Sequence, residues 1–375
     1  MNRFQVGSIQ VEQKTSESFV SIQCLRGVAA FLVVVTHALG GGHLKFPDSE
    51  SALISFYYLK DFCASGVDIF FVISGFVMVY ANRNSFGERS EITNFIARRA
   101  IRILPLYWIF STVMLALLLV APSLLSTLRF QLPHAVESFL LIPTVNSNGE
   151  FYPMLNVGWT LTYEMYFYFI FGLLLWGSML GSIATTTVVF SASVVIGLFI
   201  EPKGPVAYML TNQLLLEFML GEYIALFLIR GNSISRPAAW LLLAGVAVVY
   251  ILHLAFGPLN AGRFFYRGLP GAALIFSALF VELNGFASFP KVLKHLGDSS
   301  YSLYLTHTLT IASFFKVYSF LPTTFRLPLD VLIVGGVVFA ALVAHMIYVF
   351  LERPITRALN HVWRQMRRSR LSQPA

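Results

Sequence analysis

Charge is scarce in this 375-residue sequence: Asp, Glu, Lys and Arg together supply 12% of it. Soluble domains carry about twice that share, so an ordinary water-soluble core is excluded. Cysteine is scarcer still. Cys24 and Cys63 stand at the start and just past the end of the first hydrophobic run, on opposite sides of a bilayer, which excludes a disulfide framework. No internal repeat, low-complexity run, signal peptide or appended soluble domain is visible, and the first hydrophobic helix is expected to direct insertion itself. Base-reading motifs are missing too, so the net charge of +8 points to membrane orientation and no nucleic-acid partner is expected.

What is present is apolar surface: 57% hydrophobic residues, 15% aromatic, and a mean hydropathy of +0.71. The fold class that follows is all-α, a polytopic integral membrane protein in the lipid bilayer. Runs long enough to cross about 30 Å of hydrocarbon fall at 22–40, 64–81, 103–121, 158–176, 181–200, 212–229, 239–256, 268–284, 301–321 and 331–350. That predicts about ten transmembrane helices, with Pro105 at a helix start and a short interfacial helix within 134–145. Residues 1–21 form a polar N-terminal segment, 22–354 the membrane domain and 355–375 a basic tail. With the N-terminus inside, the first segment, the even-numbered loops and the tail hold 18 of the 26 lysines and arginines. Both termini are therefore expected in the cytoplasm.

The stretch CLRGVAAFLVVVTHA (24–38) places a basic residue at the cytoplasmic mouth of a helix and an imidazole far along it. Eleven residues rise about 16 Å in about three turns, so Arg26 and His37 share one helix face. Taken alone, His37 fits a hydrogen bond to a neighbouring helix as well as it fits chemistry. Further polar residues lie in apolar company. Asp68 and Ser74 fall in GVDIFFVISGF (66–76), Trp159 and Glu164 in GWTLTYEMYFYF (158–169), and His307 in SSYSLYLTH (299–307). Asp68 is placed near the outer end of the second span and Glu164 in the outer part of the fourth. Each has a structural reading: an interfacial carboxylate, a helix-start carboxylate, a belt tryptophan, a packing histidine. Together they also suit a base with an orienting carboxylate, or a proton path.

On the cytoplasmic side, FIARRAIRILPLYW (95–108) sets Arg99 and Arg102 three apart on one helix face, beside Arg98. These are either membrane anchors or a clamp for a phosphorylated ligand, since guanidinium forks suit phosphate oxygens. Glu352 in LERPIT (351–356) can pair an arginine there, while the other basic residues of the tail read as anionic-lipid contacts.

These motifs, in this order from Ile22 to Pro354, resemble the membrane acyltransferase-3 family, in particular the bacterial exopolysaccharide O-acetyltransferases. The resemblance implies about ten helices in the bacterial inner membrane. It also implies acetyl-CoA as acyl donor, no metal, and transfer of acetyl to a hydroxyl of a surface glycan or lipid-linked oligosaccharide. The family's arginine, ten residues and histidine match Arg26 and His37, and its RxxR element matches Arg99 and Arg102. Some relatives carry an esterase-like domain after the membrane part. Its lack here favours direct transfer. On this reading His37, Asp68 and Glu164 are candidate catalytic residues, and Arg26, Arg99, Arg102, Ser74, Trp159, His307 and Glu352 candidate substrate-binding ones. His37 acts either as base or as a covalent acetyl carrier, with Asp68 or Glu164 orienting its ring. A different class, a proton-coupled exporter of a glycan or lipid-linked sugar, would use the same carboxylates and histidines but leaves the arginine cluster without a role.

Overall fold

Backbone N–H and C=O groups find no water in hydrocarbon, so apolar spans must pair them internally as helix. The computed structural model describes residues 19–122, 129–258, 262–286, 288–322 and 327–371, and among them no strand occurs. Most of the expected N-terminal segment (1–18) and the last four tail residues lie outside the described residues. Eight helical stretches are long and apolar enough to cross a membrane, and the chain is a membrane protein.

The principal helices are α1 (Val20–Lys45), α2 (Ala52–Ser55), α3 (Leu59–Cys63), α4 (Ser65–Ala81), α5 (Arg89–Val120), α6 (Leu132–Phe139), α7 (Gly158–Leu174) and α8 (Met179–Phe199). They continue with α9 (Gly204–Leu210), α10 (Leu215–Ile229), α11 (Arg236–Phe256), α12 (Leu269–Leu283), α13 (Lys291–Asp298), α14 (Ser300–Ser319), α15 (Leu329–Ile347) and α16 (Arg353–Leu371). Every expected span falls on a helix. Two of them do not meet the span criterion: α7 has 17 residues, and α14 reads SYSLYLTHTLT at its start, dense in hydroxyls. The short helix expected within 134–145 is present as α6, which starts two residues earlier and carries Pro133 in its opening turn.

Pro105 is not at a helix start. α5 begins at Arg89, so the proline lies inside it. It cannot donate to the carbonyl of Ile101, a loss that membrane helices tolerate when neighbouring groups serve the freed backbone. Tyr301 Oη donates to the nearby carbonyl of Ile103 at 2.7 Å. The early start carries Arg98, Arg99 and Arg102 on the helix itself rather than on a loop before it.

The bundle closes around α1, which packs against α4, α12, α14 and α15, with α13 against its first turns and α3 against its later ones. Behind it, α4 and α10 approach so closely that a Cβ on Gly75 would meet Phe218 O at 2.0 Å, and one on Gly221 would meet Val72 O at 2.0 Å. Small residues let backbones touch where no hydrophobic effect drives helices together. Phe167 of α7 then stacks on Phe218 of α10 with ring centroids 4.3 Å apart. At the Arg26 end of α1, α5 contributes Arg102 and α7 contributes Glu164 and Tyr168 within electrostatic reach, and α4 and α14 pack directly on α1.

Candidate active site

His37 and His307 meet across α1 and α14. His307 Nε2 lies 3.2 Å from His37 Nδ1, and the rings stand edge to face with centroids 4.7 Å apart. Their other contacts decide the protons. His307 is fully buried, and its Nδ1 faces Tyr304 O at 2.7 Å and Leu303 O at 3.1 Å. A carbonyl only accepts, so this nitrogen carries the hydrogen and the neutral ring leaves Nε2 bare. His37 Nδ1 faces both that bare nitrogen and Val33 O, at 2.9 Å, so it too carries its hydrogen. The lone pair of His37 is left at Nε2. This half-buried ring is the basic group of the pair.

The arginine end of the same helix face is crowded. Arg102 Nη1 donates to Glu352 Oε1 at 2.6 Å, while the other oxygen of Glu352 accepts from Ser302 N at 3.2 Å and Ser302 Oγ at 2.6 Å. Glu352 is buried at the end of a π-helical turn, Tyr348–Glu352, that bridges α15 and α16. The pairing of Glu352 with an arginine, expected from the sequence, is present. Arg26 lies within electrostatic reach of Arg102, Glu352, Glu164 and Tyr168. Arg99 sits over the rings of Tyr168 and Phe95, 5.5 and 5.6 Å from their centroids, and its buried Nε finds no hydrogen-bond partner among the described residues.

Glu164 belongs to this end and not beside His37. It accepts a short hydrogen bond from Tyr168 Oη and one from Ser74 Oγ at 3.4 Å. At the start of α7, Gly158 lies so close to the Tyr107 ring that a Cβ there would meet it at 2.9 Å, and Val157 O accepts from Tyr304 Oη at 3.2 Å. Glu164, further along the helix, lies within electrostatic reach of Arg26. Trp159, one turn earlier, packs edge-on against Tyr163 with centroids 5.8 Å apart and stays half-buried.

Asp68 also departs from the expected place. Both its oxygens are taken by Arg263, from Nε at 2.8 Å and from Nη2 at 2.9 Å. Neither Asp68 nor Glu164 touches the His37 ring, so the orienting partner is His307 and not a carboxylate. Around Asp68 lies a second polar cluster that sequence reading missed. Glu217 is fully buried near Asp68 and Arg263, and Asp61 joins Arg267 to His253, the latter pair at 2.8 Å. A signal was there: GRFFYRG (262–268) repeats arginine at i and i+4. These two counted simply as basic residues outside the membrane. A π-helical turn, Phe264–Gly268, bends them back into the bundle.

Residues 19–348 match the family described as an acyltransferase domain. The chain is similar to the exopolysaccharide production protein ExoZ of Rhizobium meliloti (strain 1021), with 32% identity over 302 residues, 78% of this chain and 90% of that one. No solved structure matches.

Proposed function

The chain belongs to this acyltransferase family, and from that premise we propose that it moves an acetyl group from acetyl-CoA to a hydroxyl of an exopolysaccharide in the bacterial inner membrane, with both termini cytoplasmic. The observation that carries this reading is the hydrogen-bonded His37–His307 pair, which leaves the His37 Nε2 lone pair free on the same α1 face as Arg26. The similarity to an exopolysaccharide production protein supports the acceptor class.

Arg99 and Arg26 engage the donor phosphates, and Arg102, held by Glu352, shapes the same mouth. The thin pantetheine arm then lies along α1, which spans about 16 Å between Arg26 and His37. His37 Nε2 takes the proton of the acceptor hydroxyl as its oxygen attacks the thioester carbonyl. The new C–O bond forms, the C–S bond breaks, and the departing thiolate takes that proton from the imidazolium. While His37 is cationic, its Nδ1–H donates to His307 Nε2, a stronger hydrogen bond than the neutral ring makes. His307 thereby does what a carboxylate does in hydrolase triads. The same Nε2 lone pair also suits transient covalent carriage of the acetyl group.

His37→Asn keeps shape and hydrogen bonding but accepts neither proton nor acetyl. Turnover should fall at least ~10²-fold with acetyl-CoA binding nearly intact, whereas His37→Leu should lower the amount of folded protein. Near-normal glycan acetylation by the Asn variant would sink the assignment.

A further inference from the structure

α16 divides into two faces. At about 100° per residue, Leu359, Val362 and Met366 share one, and all three are exposed. Arg357, Arg364 and Arg368 share the opposite face. An amphipathic helix meets a bilayer through its apolar side, which turns these guanidinium groups away from the lipid. The helix is also strapped down: Trp363 Nε1 donates to Asn94 Oδ1 at 3.1 Å, and Arg367 pairs with Glu91, both on α5.

The strap brings like charges together. Arg98 lies within electrostatic reach of Arg99, Arg364 and Arg367, with Glu91 the carboxylate that opposes them. Fixing guanidinium groups side by side destabilises a fold unless an anion shares the site. The row continues inward through Arg99, whose buried Nε finds no hydrogen-bond partner among the described residues, to Arg102 and Arg26. On α5, Arg98 lies one helical turn before Arg102, the arginine within reach of Arg26, and so extends the row away from α1 toward Arg364.

We propose that Arg98 and Arg364 form a second anion subsite across the α5–α16 junction and hold the 3′-phosphate of the donor nucleotide, at the end of coenzyme A remote from its thioester. This rests on coenzyme A being the donor. The tail helix is then part of the donor site, and its basic face selects a soluble nucleotide and not the anionic lipid that charge alone suggests.

Full-length protein in detergent would be titrated with coenzyme A and with dephospho-coenzyme A, which differs by that one phosphate. Wild type should bind coenzyme A on the order of tenfold more tightly, as one lost charge-assisted contact predicts. In Arg98→Gln/Arg364→Gln the ratio should fall to about one, with dephospho-coenzyme A bound as before. The exposed single variant Arg364→Gln, which leaves the α5 strap intact, should reduce the ratio part of the way and guards against misfolding of the double variant. An unchanged ratio in both variants overturns the proposal. An unchanged ratio with fewer phosphatidylglycerol molecules retained in native mass spectrometry also overturns it and gives the arginines to lipid. No binding of coenzyme A by folded wild type would instead remove the donor reading itself, which tells the two failures apart.

Discussion

His307 Nε2 lies 3.2 Å from His37 Nδ1 although 270 residues separate them. On the proposed mechanism His307 is a positioning residue, which together with Val33 O sets the tautomer of His37. His307→Gln should lower kcat roughly tenfold, below the penalty for losing His37 itself, and leave KM for acetyl-CoA unchanged. His307→Phe, which removes the acceptor for His37 Nδ1–H, should cost more and shift the pH–rate profile. A profile identical to wild type in the Phe variant would reduce His307 to packing.

Arg99 and Arg102 should behave differently despite their shared face. Glu352 is buried, pairs with Arg102 and accepts from Ser302, so Glu352→Gln removes the charged half of a buried pair and should destabilise the protein. The effect should fall at or below the lower end of the ~3–5 kcal/mol seen for broken buried pairs, because the Arg102 side chain is 31% exposed. Arg99→Gln should instead raise KM for acetyl-CoA, a loss of roughly 1.5–3 kcal/mol of charge-assisted contact, with folding preserved. Thermal unfolding and donor titration of both variants separate the two roles.

Asp68 should prove structural. Its carboxylate is fully buried and bidentate with Arg263, so Asp68→Asn and Arg263→Gln should each reduce the yield of folded, detergent-extracted protein. Turnover per folded molecule should stay within a few-fold of wild type, in contrast to His37→Asn. A folded Asp68→Asn protein with turnover as low as His37→Asn would return Asp68 to the chemistry.

Orientation is tested with reporter fusions. Those after Phe86 should report cytoplasm and those near Asn148 the outside, as the lysine and arginine bias predicts. A cytoplasmic signal near Asn148 would break the arrangement of spans on which the donor and acceptor sides depend.

The sequence determined the helices and the ends of the site. Apolar runs become helix because hydrocarbon offers the backbone no other partner, and eleven residues of helix place Arg26 and His37 on one face whatever surrounds them. The motif order likewise identified the acyltransferase family that the comparisons show. Tertiary structure alone decided what those residues touch. Asp68 meets Arg263 from 195 residues away, Glu164 meets Ser74 from 90, and His37 meets His307 from 270. Periodicity fixes the direction of a side chain from its own helix. It says nothing of where another helix lies against it, which is set by close contacts such as Gly158 on Tyr107 and Gly75 on the backbone of Phe218. The packing of α1 on α14 gives His37 a second imidazole as its partner, and the polar partners of Asp68 and Glu164 likewise come from other helices.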